Sequence, residues 1–167
     1  MYIGLISDTH GVFDDEFRRF LEPVDCIWHA GDWGGDEEFT QRISGFKKVI
    51  GVHGNCDGQP VRWLYPAVQN FECEGLKVLM THIGGSPGHY DYRAYALIDS
   101  IRPDIFVCGH SHILKVMRDR EHSMMYINPG AAGLQGWQVV RTALRFKIEE
   151  GQISGMEVFE MPRYRSV

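Results

Sequence analysis

Residues 2–10 read YIGLISDTH, a short apolar run that is followed at once by Asp8 and His10. Apolar runs of this length, bounded by polar segments, indicate buried β-strands. The same pattern, an apolar run and then a residue of a metal-binding type, recurs four more times along the chain. The later groups are Asp32, Asn55, His82, and the pair His110 and His112. Because the carboxyl ends of parallel strands meet at one edge of a sheet, we expect these side chains to lie together.

The residue types in these groups predict a metal centre. Aspartate, asparagine and histidine are ligands of hard and borderline divalent ions, and seven of them are too many for one tetrahedral ion but suit two. The sharpest signal is residues 109–112 (GHSH), because two histidines two positions apart after a buried strand are hard to explain by packing. The other motifs also occur as plain turns, and a strand-end residue such as His82 also occurs as a hydrogen-bonded core imidazole. His29 is predicted to be packed rather than ligating.

Length and composition favour one globular domain over residues 1–167. The chain is 44% apolar and 23% charged, which is ordinary for a globular protein with a full core. Its net charge of −5 argues against a general binder of nucleic acid or anionic membranes, because both ligands favour a basic surface. The adjacent basic pairs Arg18-Arg19 and Lys47-Lys48 give little support for nucleic-acid binding. A small phosphate substrate stays compatible, because bound cations would dominate the local field.

The sequence carries no sign of membrane insertion or export. No apolar run is long enough to cross a bilayer, and no basic and apolar leader precedes Asp8. The four cysteines show no CxxC spacing, and two of them lie in strand-like runs, which favours reduced thiols. We therefore expect a cytoplasmic protein with no membrane-spanning segment.

The chain changes character near its middle. The first half alternates strand-like runs with amphipathic stripes, and the second half is mostly antiparallel β with one helix. We predict strands at 2–7, 24–30, 48–53, 67–73, 76–82 and 104–108, helices at 13–22, 36–45 and from Ala94 to Ile101, loops at 58–66 and 84–91, and a loosely ordered tail at 161–167. Apolar residues alternate from Val140 to Ile148, which adds a half-buried strand. An α/β fold of two sheets packed face to face, with helices outside, accommodates this order.

The motifs together resemble a known family. DTH at 8–10, GD at 31–32, GNCD at 54–57, the strand-end His82 and GHSH at 109–112 stand in this order. In this they are similar to the calcineurin-like metallophosphoesterases, and most to their small microbial phosphodiesterase branch, to which the retromer scaffold subunit is related. The likeness covers essentially the whole chain. It implies a four-layer α/β/β/α sandwich of two mixed sheets flanked by helices, with a dinuclear metal site at the carboxyl ends of the strands.

The resemblance also implies a ligand set. One ion would be held by Asp8, His10, Asp32 and His112, and the second by Asp32, Asn55, His82 and His110. Asp32 and a hydroxide would bridge the two divalent ions. Manganese is the metal expected first, and Fe, Zn, Co or Ni would also suit these ligands.

The implied activity is hydrolysis of a small phosphoester, with phosphodiesters as the first substrate class and phosphomonoesters as the second. The alternative is a phosphoesterase fold kept as a scaffold for partner proteins, with little or no catalysis. The chain retains all seven ligands, which a scaffold could lose, and this favours the enzyme. Exposed apolar residues near Trp63 or Trp137 could support a homo-oligomer.

Further residues are predicted to act around the metals. Asn55 and Cys56 are the predicted catalytic residues. Larger relatives carry histidine at the position of Cys56, where it is thought to protonate the leaving group, and a thiol with an ordinary pKa of about 8.5 is a poorer acid for this step. His89 and Trp33 are predicted to line the substrate mouth, where an aromatic ring could stack on a nucleobase; surface aromatics without this role are the plain alternative. Asp57 either orients a neighbour or closes a turn.

Overall fold

The computed structural model describes residues 1–164, which form twelve strands and four helices. The strands are β1 (Tyr2–Ile6), β2 (Cys26–His29), β3 (Lys48–Gly51), β4 (Val68–Cys73), β5 (Leu76–Thr81), β6 (Gly85–Ser86), β7 (His89–Tyr90), β8 (Ile105–Val107), β9 (Leu114–Asp119), β10 (Met124–Pro129), β11 (Val140–Glu149) and β12 (Gln152–Pro162). The helices are α1 (Asp15–Leu21), α2 (Glu37–Ser44), α3 (Gln59–Leu64) and α4 (Tyr92–Ile101). The tail predicted to be loosely ordered begins inside β12, and residues 165–167 lie outside the described residues.

The first sheet brings three of the predicted ligand motifs to one edge. Its strand order is β12-β11-β1-β2-β3, with β1, β2 and β3 parallel and the other two strands antiparallel. The register sets Ile6 beside His29, and His29 beside Gly51. The three parallel strands therefore end level with one another, and the residues that follow them emerge at the same place.

The second sheet repeats this arrangement. Its order is β4-β5-β8-β10-β9, with the three central strands parallel and the two outer strands antiparallel. The predicted strand pair at 67–73 and 76–82 is confirmed as β4 and β5, which meet at Cys73 and Leu76. His82 directly follows β5, and His110 lies three positions after β8.

The two sheets pack face to face with helices outside. The inner core joins Leu5 and Trp28 of the first sheet to Met80 and Val107 of the second. The outer layers contain Phe17, Ile43 and Val61 against the first sheet, and Ala94 and Ile98 against the second. Each parallel strand is thus covered on both faces, which explains the continuous apolar runs in the sequence. The predicted four-layer sandwich is confirmed.

Residues 58–66, predicted as a loop, contain α3, so that prediction is wrong. The two prolines that suggested a loop lie at positions a helix tolerates. Pro60 is in the first turn, where its missing N–H has no intrahelical partner, and Pro66 follows the helix end. Within residues 1–164 no helix is both long and apolar enough to cross a membrane.

The predicted loop at 84–91 contains a small hairpin, β6 paired with β7. Two tyrosines tie this hairpin to the second sheet. The Tyr90 hydroxyl donates to Asp119 Oδ2 (2.6 Å), and the Tyr126 hydroxyl donates to the carbonyl of Gly85 (2.7 Å). The hairpin that carries His89, the first residue of β7, is therefore anchored to the second sheet through Tyr90 and Gly85.

Candidate metal centre

The loops that follow β1 and β2 are joined by backbone hydrogen bonds. The amide of Asp8 donates to the carbonyl of Gly31 (2.9 Å), and the amide of His10 donates to that of Asp32 (3.1 Å). These bonds continue the parallel pairing of the two strands beyond the sheet. The first and second ligand motifs are therefore held in a fixed relation by the main chain.

Six of the seven predicted ligands assemble into two adjacent groups. Asp8, His10 and His112 form the His112 group, and Asp32, His82 and His110 form the His82 group. Within each group the candidate ligand atoms lie within 4.8 Å of one another. The groups adjoin, because His82 Nε2 lies 3.2 Å from Asp32 Oδ2 and 3.9 Å from Asp8 Oδ1.

Buried polar atoms without partners mark the centre of this arrangement. Within residues 1–164, four buried side-chain N or O atoms have no hydrogen-bond partner, and three of them are Asp8 Oδ1, His10 Nε2 and His82 Nε2. Leaving such an atom unpaired costs about 1–3 kcal/mol. Carboxylate oxygens and imidazole nitrogens directed at a shared point fit a divalent ion, which would satisfy all three.

The two best-anchored imidazoles present Nε2 to the centre because Nδ1 is bonded elsewhere. His82 Nδ1 lies 2.8 Å from the carbonyl of Ala30. His112 Nδ1 lies 3.0 Å from the carbonyl of Gln135 and 3.3 Å from Gln138 Oε1. An Nδ1–H that donates to a carbonyl leaves the Nε2 lone pair free, which is the usual arrangement of a metal-bound histidine.

The carboxylates are oriented in a similar way by main-chain amides. Asp8 Oδ2 accepts from the amide of His110 (3.1 Å), and Asp32 Oδ1 accepts from the amide of Cys56 (2.9 Å). The other oxygen of each carboxylate is left for the centre. Burial acts to raise the pKa of Asp32, but the nearby His82 imidazole and the hydrogen bonds from Cys56 hold that pKa well below its ordinary value, so the carboxylate is ionised.

The backbone is strained at most of these ligands. Positive φ angles occur at Asp8 (54°), His10 (46°), Asp32 (54°), His110 (66°) and His112 (59°). This left-handed region costs a residue with a Cβ atom roughly 1–2 kcal/mol, although aspartate and histidine enter it more readily than most. Strain gathered at one cluster of polar side chains is typical of a functional site.

Glycines allow close approach to both anchored imidazoles. Gly31 has φ +97°, and a Cβ atom there would lie 2.6 Å from His82 Nδ1. Gly136 has φ +108°, and a Cβ atom there would overlap His112 Nδ1. Only glycine fits these positions without displacing the ring beside it.

Asn55 and Cys56 lie exposed at the rim of the centre. The Asn55 side-chain amide donates to Cys56 Sγ (3.3 Å), so its oxygen is available, and its role as the seventh ligand stays a prediction. Partial desolvation and the hydrogen bond to Asp32 raise the pKa of Cys56 to about 11. The thiol is therefore protonated at neutral pH, and a catalytic role for either residue stays a prediction.

The prediction for Trp33 is wrong, because its side chain is fully buried. The indole stacks between His29 and Tyr65, and its Nε1 donates to the carbonyl of Val52 (2.9 Å). It supports the loop after β2 and is closed to a substrate. His29 is buried and hydrogen-bonded to Thr9 Oγ1 (3.0 Å), which confirms its packing role.

His89 is exposed and lines a cavity of about 460 Å³ that also contains His110. Its contact with substrate stays a prediction. Asp57 is buried and accepts from the amides of Gly34 (3.0 Å) and Gly54 (2.7 Å). The bond to Gly54, three positions earlier, closes a turn, and the bond to Gly34 ties the loop after β2 to the loop after β3; a role for Asp57 in orienting a ligand stays a prediction.

The residues that hold His112 were not predicted from the sequence. Gln135 and Gln138 lie in a loop with no recognisable motif. Arg163 donates to the carbonyls of Leu134, Gly136 and Gln138 in that loop. Apart from the Gln138 side-chain oxygen, these contacts use main-chain carbonyls, which every residue has and which leave no signal in the sequence.

Comparison with known proteins identifies the family. Residues 1–151 match the calcineurin-like phosphoesterase superfamily domain. Vps29 from Entamoeba histolytica, solved with Zn²⁺, is 16% identical with a TM-score of 0.74, covering 98% of this chain and 100% of that one. An archaeal phosphodiesterase is 21% identical with a TM-score of 0.71, covering 95% and 100%. A predicted phosphoesterase from Streptococcus pneumoniae is 21% identical with a TM-score of 0.66, covering 97% and 89%. No curated protein matches the chain.

Proposed function

We propose that this chain, which belongs to the calcineurin-like phosphoesterase superfamily, is a metal-dependent phosphoesterase that acts first on phosphodiesters. The observation that carries the proposal is the pair of adjoining ligand groups with unpaired buried donor atoms directed between them. Their burial and backbone strain cost folding free energy, and bound ions would offset that cost. A fold that served only as a scaffold would have no need of buried, strained ligand groups.

The ligand set suits two divalent ions, with manganese expected first and Fe, Zn, Co or Ni as further candidates. When bound, such ions polarise a phosphoryl oxygen and lower the pKa of a water molecule to about 7. Asp8 and Asp32 contribute two negative charges against four positive ones, so the centre stays electropositive and attracts an anionic ester.

The protein's own residues set the geometry of the reaction. The Asp8 and Asp32 carboxylates and the histidine imidazoles would hold the ions on the edge where the parallel strands end. In the hydrolysis, the oxygen of water bonds to phosphorus, the ester P–O bond breaks, and the departing oxygen takes a proton. We assign that proton to the Cys56 thiol, which lies on the rim beside Asn55, and the thiolate that is left takes up the proton released by the attacking water. A thiol is a weaker acid than imidazolium, so esters with good leaving groups should react fastest.

A second candidate function, binding of partner proteins, has one observation in its favour. Trp63, Trp137 and Val139 are large apolar side chains that lie mostly or fully exposed. Exposed apolar residues can mark an interface between proteins, including one between copies of the chain. The two functions are compatible in one molecule, because none of these three residues is a predicted ligand.

Reconstitution of metal-free protein tests the proposal. Manganese, iron, zinc, cobalt and nickel would be added singly to protein stripped of metal, and hydrolysis of phosphodiesters, cyclic nucleotides and phosphomonoesters would be measured. We expect activity to rise up to two equivalents of ion, with diesters hydrolysed faster than monoesters. If the protein bound two equivalents of ion and hydrolysed no ester, the phosphoesterase proposal would be contradicted and the scaffold function would be favoured.

A further inference from the structure

A cavity of about 470 Å³ opens beside the His82 group, between α3 and α4. Its lining includes Asn55 and His82 of the candidate centre, together with Arg62, Tyr92 and Arg93. Because the cavity shares residues with the candidate centre, a ligand bound to the ions could extend directly into it. No predicted site residue other than Asn55 and His82 belongs to it.

Arg62 is held in this cavity by neutral groups. Its Nε donates to the carbonyl of Asp57 (2.7 Å), and its Nη2 donates to the carbonyls of Gly54 (3.1 Å) and Asn55 (3.4 Å). Among residues 1–164 no carboxylate forms an ion pair with it. Three hydrogen bonds thus hold a guanidinium that has no ion-pair partner, and its Nη1 makes no hydrogen bond among residues 1–164.

The other charges in the cavity leave it electropositive. Arg93 adds a second guanidinium, which donates through Nε to the Tyr92 hydroxyl (2.7 Å). The one carboxylate in the lining, Asp91, accepts from the amides of Arg93 and Ala94 at the start of α4. Two cations thus stand against one carboxylate that already caps a helix, in a chain whose net charge is −5. A planar guanidinium recognises phosphate oxygens in pairs.

The cavity of about 460 Å³ that contains His89 adjoins the same centre. Ile83 lines both cavities, and His110 lines the second as His82 lines the first. A phosphoryl group at the His82 group would therefore have two cavities beside it. A phosphodiester has two arms to place, and a monoester has one.

We propose that the cavity between α3 and α4 is the subsite for one arm of a phosphodiester, and that Arg62 binds a phosphate group carried by that arm. The proposal rests on the phosphodiesterase function proposed above and names its substrate class. The preferred substrate is a diester with a second, terminal phosphate. Diesters that lack this charge are poorer substrates.

A matched pair of p-nitrophenyl diesters tests this. The second arm of one is 4-hydroxybutyl, and the second arm of the other is the same chain ending in a phosphonate, which cannot be hydrolysed. With manganese-loaded protein we expect kcat/KM at least tenfold higher for the phosphonate-ended diester. Arg62→Gln should remove this preference, so kcat/KM should fall at least tenfold more for the phosphonate-ended diester than for the hydroxyl-ended diester. Arg62→Lys keeps the positive charge but loses the planar guanidinium. It should retain about half of the logarithm of the kcat/KM ratio between the two diesters.

Arg42→Gln is the matched control, because Arg42 is exposed on α2, away from the cavity, and its loss changes the net charge equally. It should keep the preference in full. The proposal is overturned if the wild-type protein shows no preference. It is also overturned if Arg62→Gln slows both diesters equally, since Arg62 would then act only by supporting the loop that carries Asn55.

A binding measurement separates this proposal from the proposed function. Isothermal titration of metal-free protein with 4-hydroxybutylphosphonate needs no catalysis. The subsite is supported if the wild-type protein binds this phosphonate and Arg62→Gln weakens the binding, even if the metal-loaded protein hydrolyses neither diester. If Arg62→Gln does not fold, Arg62→Lys takes its place. Absence of binding to the wild-type protein, or equal binding to the variants, contradicts it. Failure of the proposed function alone would appear as binding without hydrolysis.

Discussion

His82 and His112 are alike in chemistry and differ in what holds them. Both present Nε2 to the candidate centre and both bond Nδ1 to a main-chain carbonyl. The anchor of His82 is Ala30, at the buried end of β2, whereas that of His112 is Gln135, in a surface loop over residues 133–138. The side chain of His82 is 3% exposed and that of His112 is 16% exposed.

The difference indicates that the two ligand groups differ in rigidity. An anchor in the core moves only if packed strands move with it, which makes the His82 group rigid. A loop held by hydrogen bonds at the surface can shift at small cost, which makes the His112 group adjustable. We therefore expect the ion of the His112 group to be released first when metal is withdrawn, and the variants below test this order.

Asp32→Ala should have the largest effect, because Asp32 adjoins His82 and is the ligand predicted to join the two groups. We expect both ions to be lost and activity to fall by at least about 100-fold, the upper end of what the loss of a supporting partner causes. Metal content and turnover measured on one preparation check this. Asp15→Ala, which removes an exposed carboxylate from α1, is the control. If Asp32→Ala kept two ions, Asp32 would not bridge them, and the two ligand groups could not be treated as linked.

Gly31→Ala and Gly136→Ala place the same methyl group against the two imidazoles. In Gly31→Ala the clash with His82 arises at the end of a packed strand, so the free energy of unfolding of metal-free protein should fall by about 3 kcal/mol. In Gly136→Ala the surface loop can move away, so the fall should be about 1 kcal/mol, the cost of a Cβ atom at positive φ. Urea unfolding followed by tryptophan fluorescence measures both. Equal losses would show that the two anchors are equally rigid.

Metal content separates the same two variants further. Gly136→Ala should retain one equivalent of ion, and Gly31→Ala should retain less, because the His82 group carries the tighter site. If Gly31→Ala retained more metal than Gly136→Ala, the His82 group would not be the more rigid of the two.

The predictable part of this molecule is the part built from strand ends. Buried parallel strands need continuous apolar runs, and polar ligands directly after them stand out in the sequence. The His82 group and the packing of two sheets face to face follow from that pattern. Trp33 shows its limit, since the residue after a strand can turn into the core or out of it. Its direction depends on Gly34 and Gly35, whose positive φ angles turn the chain.

The unpredictable part depends on contacts between distant residues. Helix α3 was missed because proline suggests a loop unless the start of a helix has already been located. The support of His112 by residues 133–138, and of that loop by Arg163, uses carbonyl groups that leave no trace in composition or spacing. The residues that make the His112 group adjustable are therefore those that sequence reasoning could not find.

Arg163→Gln tests whether the surface loop holds His112. Arg163 donates to three carbonyls of that loop, and its loss should let the Gln135 carbonyl move away from His112 Nδ1. We expect the weaker of two metal affinities to fall about tenfold, the lower end for loss of a supporting partner, and the tighter one to stay unchanged. Titration of metal-free protein with Co²⁺, followed by its visible absorption, resolves the two steps. Arg120→Gln, an exposed arginine beyond β9, is the control, and equal weakening of both steps would contradict the separate anchoring of the groups.

The smallest effect concerns backbone strain, and it should have opposite signs at two ligands of the same group. His110 has a positive φ and His82 does not. In metal-free protein His110→Gly should be more stable than His110→Ala by about 1 kcal/mol, because glycine enters the left-handed region freely. At His82 the glycine variant should be less stable than the alanine variant by about 0.5–1 kcal/mol, because only the entropy of the unfolded chain distinguishes them. Urea unfolding of the four variants gives both differences in the free energy of unfolding. If the glycine and alanine variants differed with the same sign at both positions, backbone strain at His110 would not be part of the folding cost that bound ions offset.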